Sequence, residues 1–260
     1  MRRNRLVVQG AEELPQVAYT GPLSNYLESV EGAAESGNIV ISTVDKGQED
    51  DVYVVHLPGL DPEAVTPGSA DRSSGRGALT TTDAFFNDAE RLGDAVLEAL
   101  RQQGAPAGAS VVLTGHSQGG LAAVKLADGS SAVSQKYSVK HTATARRRGH
   151  ISPQPHQPHQ RPHQHPVPKL GGGFNGVSSD RHEYRYDYRR PEEAAEDSDS
   201  GPLDFLSHDY GHNVEGIRST ESDPHGELSD EDRMNLDELE ALLRGSASVT
   251  AYDTGWEPVP

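Results

Sequence analysis

Between residues 38 and 143 the chain switches repeatedly between two hydrophobic rhythms. Residues 38–44 (N-I-V-I-S-T-V) are a β-branched run, which predicts a strand. Residues 45–51 form an acidic turn around Gly47. Residues 52–57 (V-Y-V-V-H-L) are nearly all apolar, the pattern of a strand buried on both faces of a parallel sheet, and they stop at Pro58-Gly59. A long stretch rich in Pro, Gly, Ser and Asp follows at 61–80 and reads as a loop. Over 83–104 the period becomes helical, with Phe85, Phe86, Ala89, Leu92, Val96, Leu97 and Leu100 on one stripe. Thr82 or Asp83 can cap its start and Gly104 its end. Residues 111–114 read as a second buried strand, 118–127 as a helix with small residues near its start, and 137–143 as another strand. Such alternation of strand and helix predicts an α/β domain, with a mostly parallel sheet and helices on both faces.

The flanks carry weaker patterns. Residues 1–37 are polar with scattered apolar positions, and read as a leader or as the tail of something further upstream. Composition breaks sharply at 146–165, which is almost pure Arg, His, Pro and Gln. Residues 184–188 can make a short strand, and 189–207 an acidic loop. Residues 228–245 predict an amphipathic helix, with Ser229 as N-cap, Asp232 at the capping-box position, and Leu236, Leu239, Leu242 and Leu243 as its apolar face. The expected division is therefore a leader at 1–37, one α/β domain at 38–245, and a C-terminal tail at 246–260.

Composition narrows the function classes. The hydrophobic share is 33%, below the roughly 45–50% usual for globular chains in a count that includes Gly. Part of the chain is thus expected to stay outside a core. With 40 acidic and 23 basic residues the formal charge is −17, which argues against nucleic acid or an anionic membrane as partner. The absence of cysteine removes disulfides, thiolate catalysis and Cys-type metal sites. No apolar run approaches the roughly 20 residues that span a bilayer. Met1-Arg2-Arg3 is basic, but no adequate apolar stretch follows it, so a cleaved signal peptide is not expected. Either the protein is cytoplasmic or it leaves by a route the sequence does not display.

The chemistry concentrates at Gly115-His116-Ser117-Gln118-Gly119, between the strand Val111-Val112-Leu113-Thr114 and the helix that follows. A serine hydroxyl is a poor nucleophile until a base takes its proton and donors stabilise the resulting oxyanion. A tight strand–turn–helix elbow serves both needs, with Gly115 and Gly119 at its crowded positions and Ser117 at its tip. The stretch V-V-L-T-G-H-S-Q-G-G-L-A-A resembles the α/β-hydrolase superfamily, its lipase and esterase side in particular, and the resemblance runs from about Val52 to His212. It implies an α/β-hydrolase-like fold, Ser117 as nucleophile, and oxyanion donors from the N–H of Gln118 and from that of Gly59 or Leu60 in His56-Leu57-Pro58-Gly59-Leu60. The plainer reading of Pro58-Gly59 is the end of a strand.

The family order of nucleophile, acid and base implies a late histidine. His208 in S-H-D-Y-G-H-N is favoured as base, with His212 the alternative and His225 a weaker one; both of the first two also fit ordinary surface histidines. In lipase-like relatives a D-P-V-P segment carries the acid. Here the matching text is His165-Pro166-Val167-Pro168, and histidine cannot orient the base through a buried negative charge. Asp180, Asp187 and Asp209 are the possible substitutes. The composition break at 146–165 is what a stretch translated out of frame would leave, with the frame restored before Pro166; the coding DNA tests this. The competing reading is a genuine His/Pro segment in which His156, His159, His163 and His165 bind Zn²⁺, Ni²⁺ or Cu²⁺ loosely, or a solvated linker.

Taken together these residues point to a serine hydrolase acting on a small-molecule or lipid ester through an acyl-enzyme, with no cofactor and no metal. The alternative is a hydrolase fold without catalysis, serving as a binding or scaffold domain, which the missing acid favours.

Overall fold

The computed structural model describes residues 4–35, 38–57, 59, 89–116, 118–145, 183–184, 214, 217–218, 221–222 and 230–258. The described strands are β1 (Asn4–Tyr19), β2 (Ile39–Asp45), β3 (Val52–Leu57), β4 (Ser110–His116), β5 (Ser138–Ala145), β6 (Glu183–Tyr184) and β7 (Gly245–Pro258). They form one sheet in the order β1-β7-β2-β3-β4-β5-β6. The helices are α1 (Leu23–Glu35), α2 (Glu90–Gln102), α3 (Gln118–Ala127), α4 (Ala132–Lys136) and α5 (Asp230–Leu243).

Helices cover both faces of the sheet. Side chains alternate across a strand, so β3 sends Tyr53, Val55 and Leu57 to one face and Val52 and Val54 to the other. On the first face they meet Leu92, Val96 and Leu100 of α2 and Leu121 and Leu126 of α3. On the second they meet Tyr26, Leu27 and Val30 of α1 and Leu239 and Leu243 of α5, together with Val214 and Ile217. The chain is thus of the α/β class, and its apolar runs at 52–57 and 111–114 are buried on both sides, as their patterns predict.

The expectation of a mostly parallel sheet is corrected. β3, β4, β5 and β6 are parallel to one another in sequence order, but β2 is antiparallel to β3, and β7 is antiparallel to both β2 and β1. One cause lies in the chain itself: the connection 46–51 is too short for a parallel crossover, which needs a dozen or more residues. It closes instead as a hairpin, with Gly47 at φ 72° and its N–H donating to Asp45 Oδ1 at 2.6 Å.

Two further boundaries are corrected. Residues 1–37 are not a bare leader, since they supply β1 and α1, and 246–260 are not a tail, since β7 lies between β1 and β2. β1 reads poorly in sequence because it is an edge strand broken by irregularities between Val8 and Gly10 and between Leu14 and Val17, the second holding Pro15. Such breaks are common on edge strands, where missing ladder donors are tolerated.

The helix expected at 83–104 is described from Glu90, after Ala89 in the left-handed region at φ 58°; Thr82, Asp83, Phe85 and Phe86 lie outside the described residues. It ends at Gly104 (φ 85°) as expected. There Gly104 N–H donates to Arg101 O (3.1 Å) and Ala105 N–H to Leu100 O (3.0 Å), the paired bonds of a glycine-terminated helix. Ser229 also lies outside the described residues. No described helix is long and apolar enough to cross a membrane.

Candidate active site

Three parallel strands end at one edge of the sheet, and their register shows how closely. Leu57, the last residue of β3, pairs with Gly115 of β4. His116, the last of β4, pairs with Ala145, the last of β5. The carboxyl ends of parallel strands are where open α/β sheets receive ligands, because the loops that diverge there leave a crevice.

At β4 the chain turns from strand to helix with a single residue between His116 and Gln118. A turn this short presses the first turn of α3 against the strand it follows. A Cβ on Gly115 would run into the carbonyl carbon of Gly119, stand 2.5 Å from Gly119 O and 2.7 Å from Gly120 N. These are backbone atoms and cannot swing aside, so position 115 accepts glycine alone. Gly119 and Gly120 are themselves buried, and Ala122 and Ala123 behind them are fully buried against the core. The small residues let α3 lie close to the sheet. Gln118 opens α3, and the first N–H groups of a helix have no partner within it. Ser117 itself lies outside the described residues.

On the neighbouring strand, Gly59 is two residues past Leu57 and is half-buried. Leu60, the other candidate donor, lies outside the described residues. So do the base candidates His208, His212 and His225, the residue at the acid position, His165, its possible substitutes Asp180, Asp187 and Asp209, and the metal-ligand candidates His156, His159 and His163. Of the expected site, then, the described residues are Gly115, Gly119, Gln118 and Gly59: Gly115 packs on Gly119, and Gly59 follows by two residues the strand end paired with Gly115. Among them no group of three or more His, Asp or Glu is arranged to hold a metal ion.

The described residues that follow the two late histidines pack against α1 and α5. Val214 and Ile217 are buried on the face shared with α1 and α5. Arg218 pairs with Glu28. Glu221 accepts the backbone N–H of Ser24 at 2.9 Å and also its hydroxyl, satisfying the first turn of α1.

One pair of residues near the site was not singled out by sequence. His56 sits in the apolar run of β3 as its last residue but one, and its register partner on β4 is Thr114. They are 1% and 0% exposed. His56 Nδ1 lies 2.9 Å from Thr114 Oγ1, and that hydroxyl donates onward to Val55 O at 3.4 Å. The Val55 carbonyl can only accept, so the histidine tautomer protonated at Nδ1 is the one that lets the hydroxyl serve both neighbours at once. Burial disfavours the imidazolium and pushes the His56 pKa down to about 4. The signal in the sequence was the single histidine inside V-Y-V-V-H-L, read there only as part of a strand.

A second buried histidine, His141 on β5, brings Nε2 to 3.6 Å from Glu238 Oε1 on α5. It lies on the face of the sheet that α1 and α5 cover.

No family model, no curated protein and no solved structure matches the chain.

Proposed function

We propose that the chain is a serine ester hydrolase of the α/β-hydrolase kind, with Ser117 as its nucleophile. The observation that carries the reading is the packing at Gly115. The residue two before Ser117 is pressed so closely against Gly119 and Gly120 that a Cβ is excluded, which is the crowding that a nucleophile elbow imposes on its flanking glycines. The register supports it further, since Gly59 follows a strand end paired with Gly115 itself.

In this reading Ser117 Oγ attacks the acyl carbonyl of the ester while His208, or else His212, takes its proton. The N–H groups of Gln118 and of Gly59 or Leu60 stabilise the oxyanion. The same histidine returns the proton to the leaving alcohol. Water, activated in turn, then hydrolyses the acyl-enzyme and regenerates the serine. A lipid ester, a small ester and a thioester all fit this chemistry.

A second reading, a hydrolase-like fold used for binding without catalysis, is favoured by one observation: His165 precedes Pro166-Val167-Pro168, where an acid is expected. One experiment separates the two. Folded protein is treated with a fluorophosphonate probe and assayed on a series of p-nitrophenyl esters, with Ser117→Ala beside it. Labelling and turnover that vanish in Ser117→Ala support the enzyme. Well-folded wild-type protein that neither labels nor turns over supports the binding domain.

A further inference from the structure

We infer that His56 and Thr114 are positioning residues, a side-chain clamp that fixes the strand end carrying Gly59 relative to the strand end carrying the elbow. The inference rests on the serine-hydrolase reading and adds to it the device that sets the distance between the two oxyanion donors.

Those donors belong to different strands. Gln118 follows β4, and Gly59 or Leu60 follows β3. A donor pair stabilises an oxyanion only when both N–H groups are held in place before the reaction, and a displacement of about 1 Å is enough to cost about a hundredfold in rate. Backbone pairing of β3 with β4 stops at Leu57 and Gly115. The rung just before it is His56 with Thr114, and this rung is also cross-linked by side chains. The Thr114 hydroxyl is gripped from β3 twice, by the His56 ring at 2.9 Å and by the Val55 carbonyl at 3.4 Å. Hydrogen bonds are directional, so the clamp resists sliding and splaying where apolar contacts would not.

The chemistry of the position points the same way. Val54 and Val112, two residues earlier on the same face, are packed in the core shared with α1 and α5. Apolar residues at 56 and 114 would continue that core without the cost of burying an imidazole and a hydroxyl. The polar pair stands instead where the sheet meets the site, three residues before Gly59 on one strand and three before Ser117 on the other.

The test uses the full chain and reads kinetics and stability separately. Thr114→Val keeps the shape of the side chain and removes the hydroxyl; Thr114→Ser keeps the hydroxyl. His56→Leu removes the ring donor, and His56→Asn retains an N–H near the place of Nδ1. For each, kcat and KM on a short p-nitrophenyl ester, the second-order rate of fluorophosphonate labelling, and Tm are measured. The expected result is a fall of about tenfold in kcat and in labelling rate for Thr114→Val and His56→Leu, with KM within about twofold. Thr114→Ser and His56→Asn recover most of the rate. The double variant is no slower than either single variant, since each removes the same clamp. Rates equal to wild type in a Thr114→Val protein of lower Tm overturn the proposal, because the pair then serves stability alone. A Thr114→Val chain that does not fold overturns it for the same reason. Wild-type protein that Ser117 does not render reactive overturns the hydrolase reading, and the clamp's role with it. That outcome is told apart by the Ser117→Ala control.

Discussion

At the scale of single residues, two positions near β4 carry most of the consequence. Gly115 is absent from the left-handed glycines Gly21, Gly47, Gly104, Gly108 and Gly245, so its requirement is purely steric. Gly115→Ala is therefore expected to lower stability by about 2 kcal/mol, as overpacking against immovable backbone does. Urea denaturation measures the loss, and the probe reaction at Ser117 should fall with it. His56 makes a pH prediction. Its pKa is about 4 in the folded chain and about 6.5 when unfolded, so between those values the unfolded state takes up a proton that the folded state refuses. Stability from this residue is complete above about pH 6.5 and is lost as the pH falls toward 4, up to about 3 kcal/mol in all. Unfolding free energies at pH 7, 5.5 and 4.5 should show that slope, and His56→Asn should flatten it. An equal slope in both proteins would place the effect elsewhere, on other groups titrating in the same window.

At the scale of elements, the joint between α5 and β7 decides whether the sheet closes. α5 ends beside the hairpin of β2 and β3, and Lys46 from that hairpin donates its ammonium to Ala241 O (2.7 Å), Arg244 O (2.8 Å) and Leu242 O (3.3 Å). These are last-turn carbonyls with no partner inside the helix, at its negative end. Partial burial pulls the Lys46 pKa below the usual lysine value, yet a cation there is held by three acceptors. Lys46→Met keeps most of the aliphatic stem and is expected to cost about 1 kcal/mol, read as a lower urea midpoint with unchanged m-value. Immediately afterwards Gly245, at φ 151°, passes so close to β2 that a Cβ would stand 2.7 Å from Asp45 O. The chain can turn straight from α5 into β7 at that point because the residue is glycine. Little of this was legible beforehand. Asp45-Lys46-Gly47 reads as a turn, and nothing local says that its lysine closes a helix some 195 residues away.

At the scale of the whole molecule, the excess of negative charge outweighs the individual ion pairs. The net charge of −17 implies self-repulsion in the compact state, whereas the described surface ion pairs, such as Arg5 with Glu257 and Arg101 with Glu98, are exposed and contribute little each. Screening should relieve more repulsion than attraction. Tm is therefore expected to rise by a few degrees between about 10 mM and about 300 mM NaCl, and a fall in thermal scans would show that the ion pairs dominate. Among the described residues, the two faces of the sheet draw much of their core from short runs such as 39–41, 52–55 and 111–113.

The sequence alone determined what depends on neighbours along the chain. The apolar runs of β3 and β4, the helical stripe that ends at Gly104, the leucine face of α5 and the glycines around Ser117 follow from periodicity, turn chemistry and local crowding. Only the tertiary structure decided what depends on residues far apart. β1 and β7 were hidden because β1 is an interrupted edge strand and the strand-favouring Val249, Thr250, Tyr252, Thr254 and Trp256 of β7 are interspersed with Gly, Ser, Ala and Asp; β7 becomes a strand when Ala247 and Val249 find a core face and the backbone finds β1 and β2 on either side. The antiparallel half of the sheet was decided in the same way. Near Ser117 the division is the same: the crowding of Gly115 against Gly119 and Gly120 is local and follows from the short turn its motif announces, but the hydrogen bond between His56 and Thr114 arises from a register that pairs residues 58 positions apart.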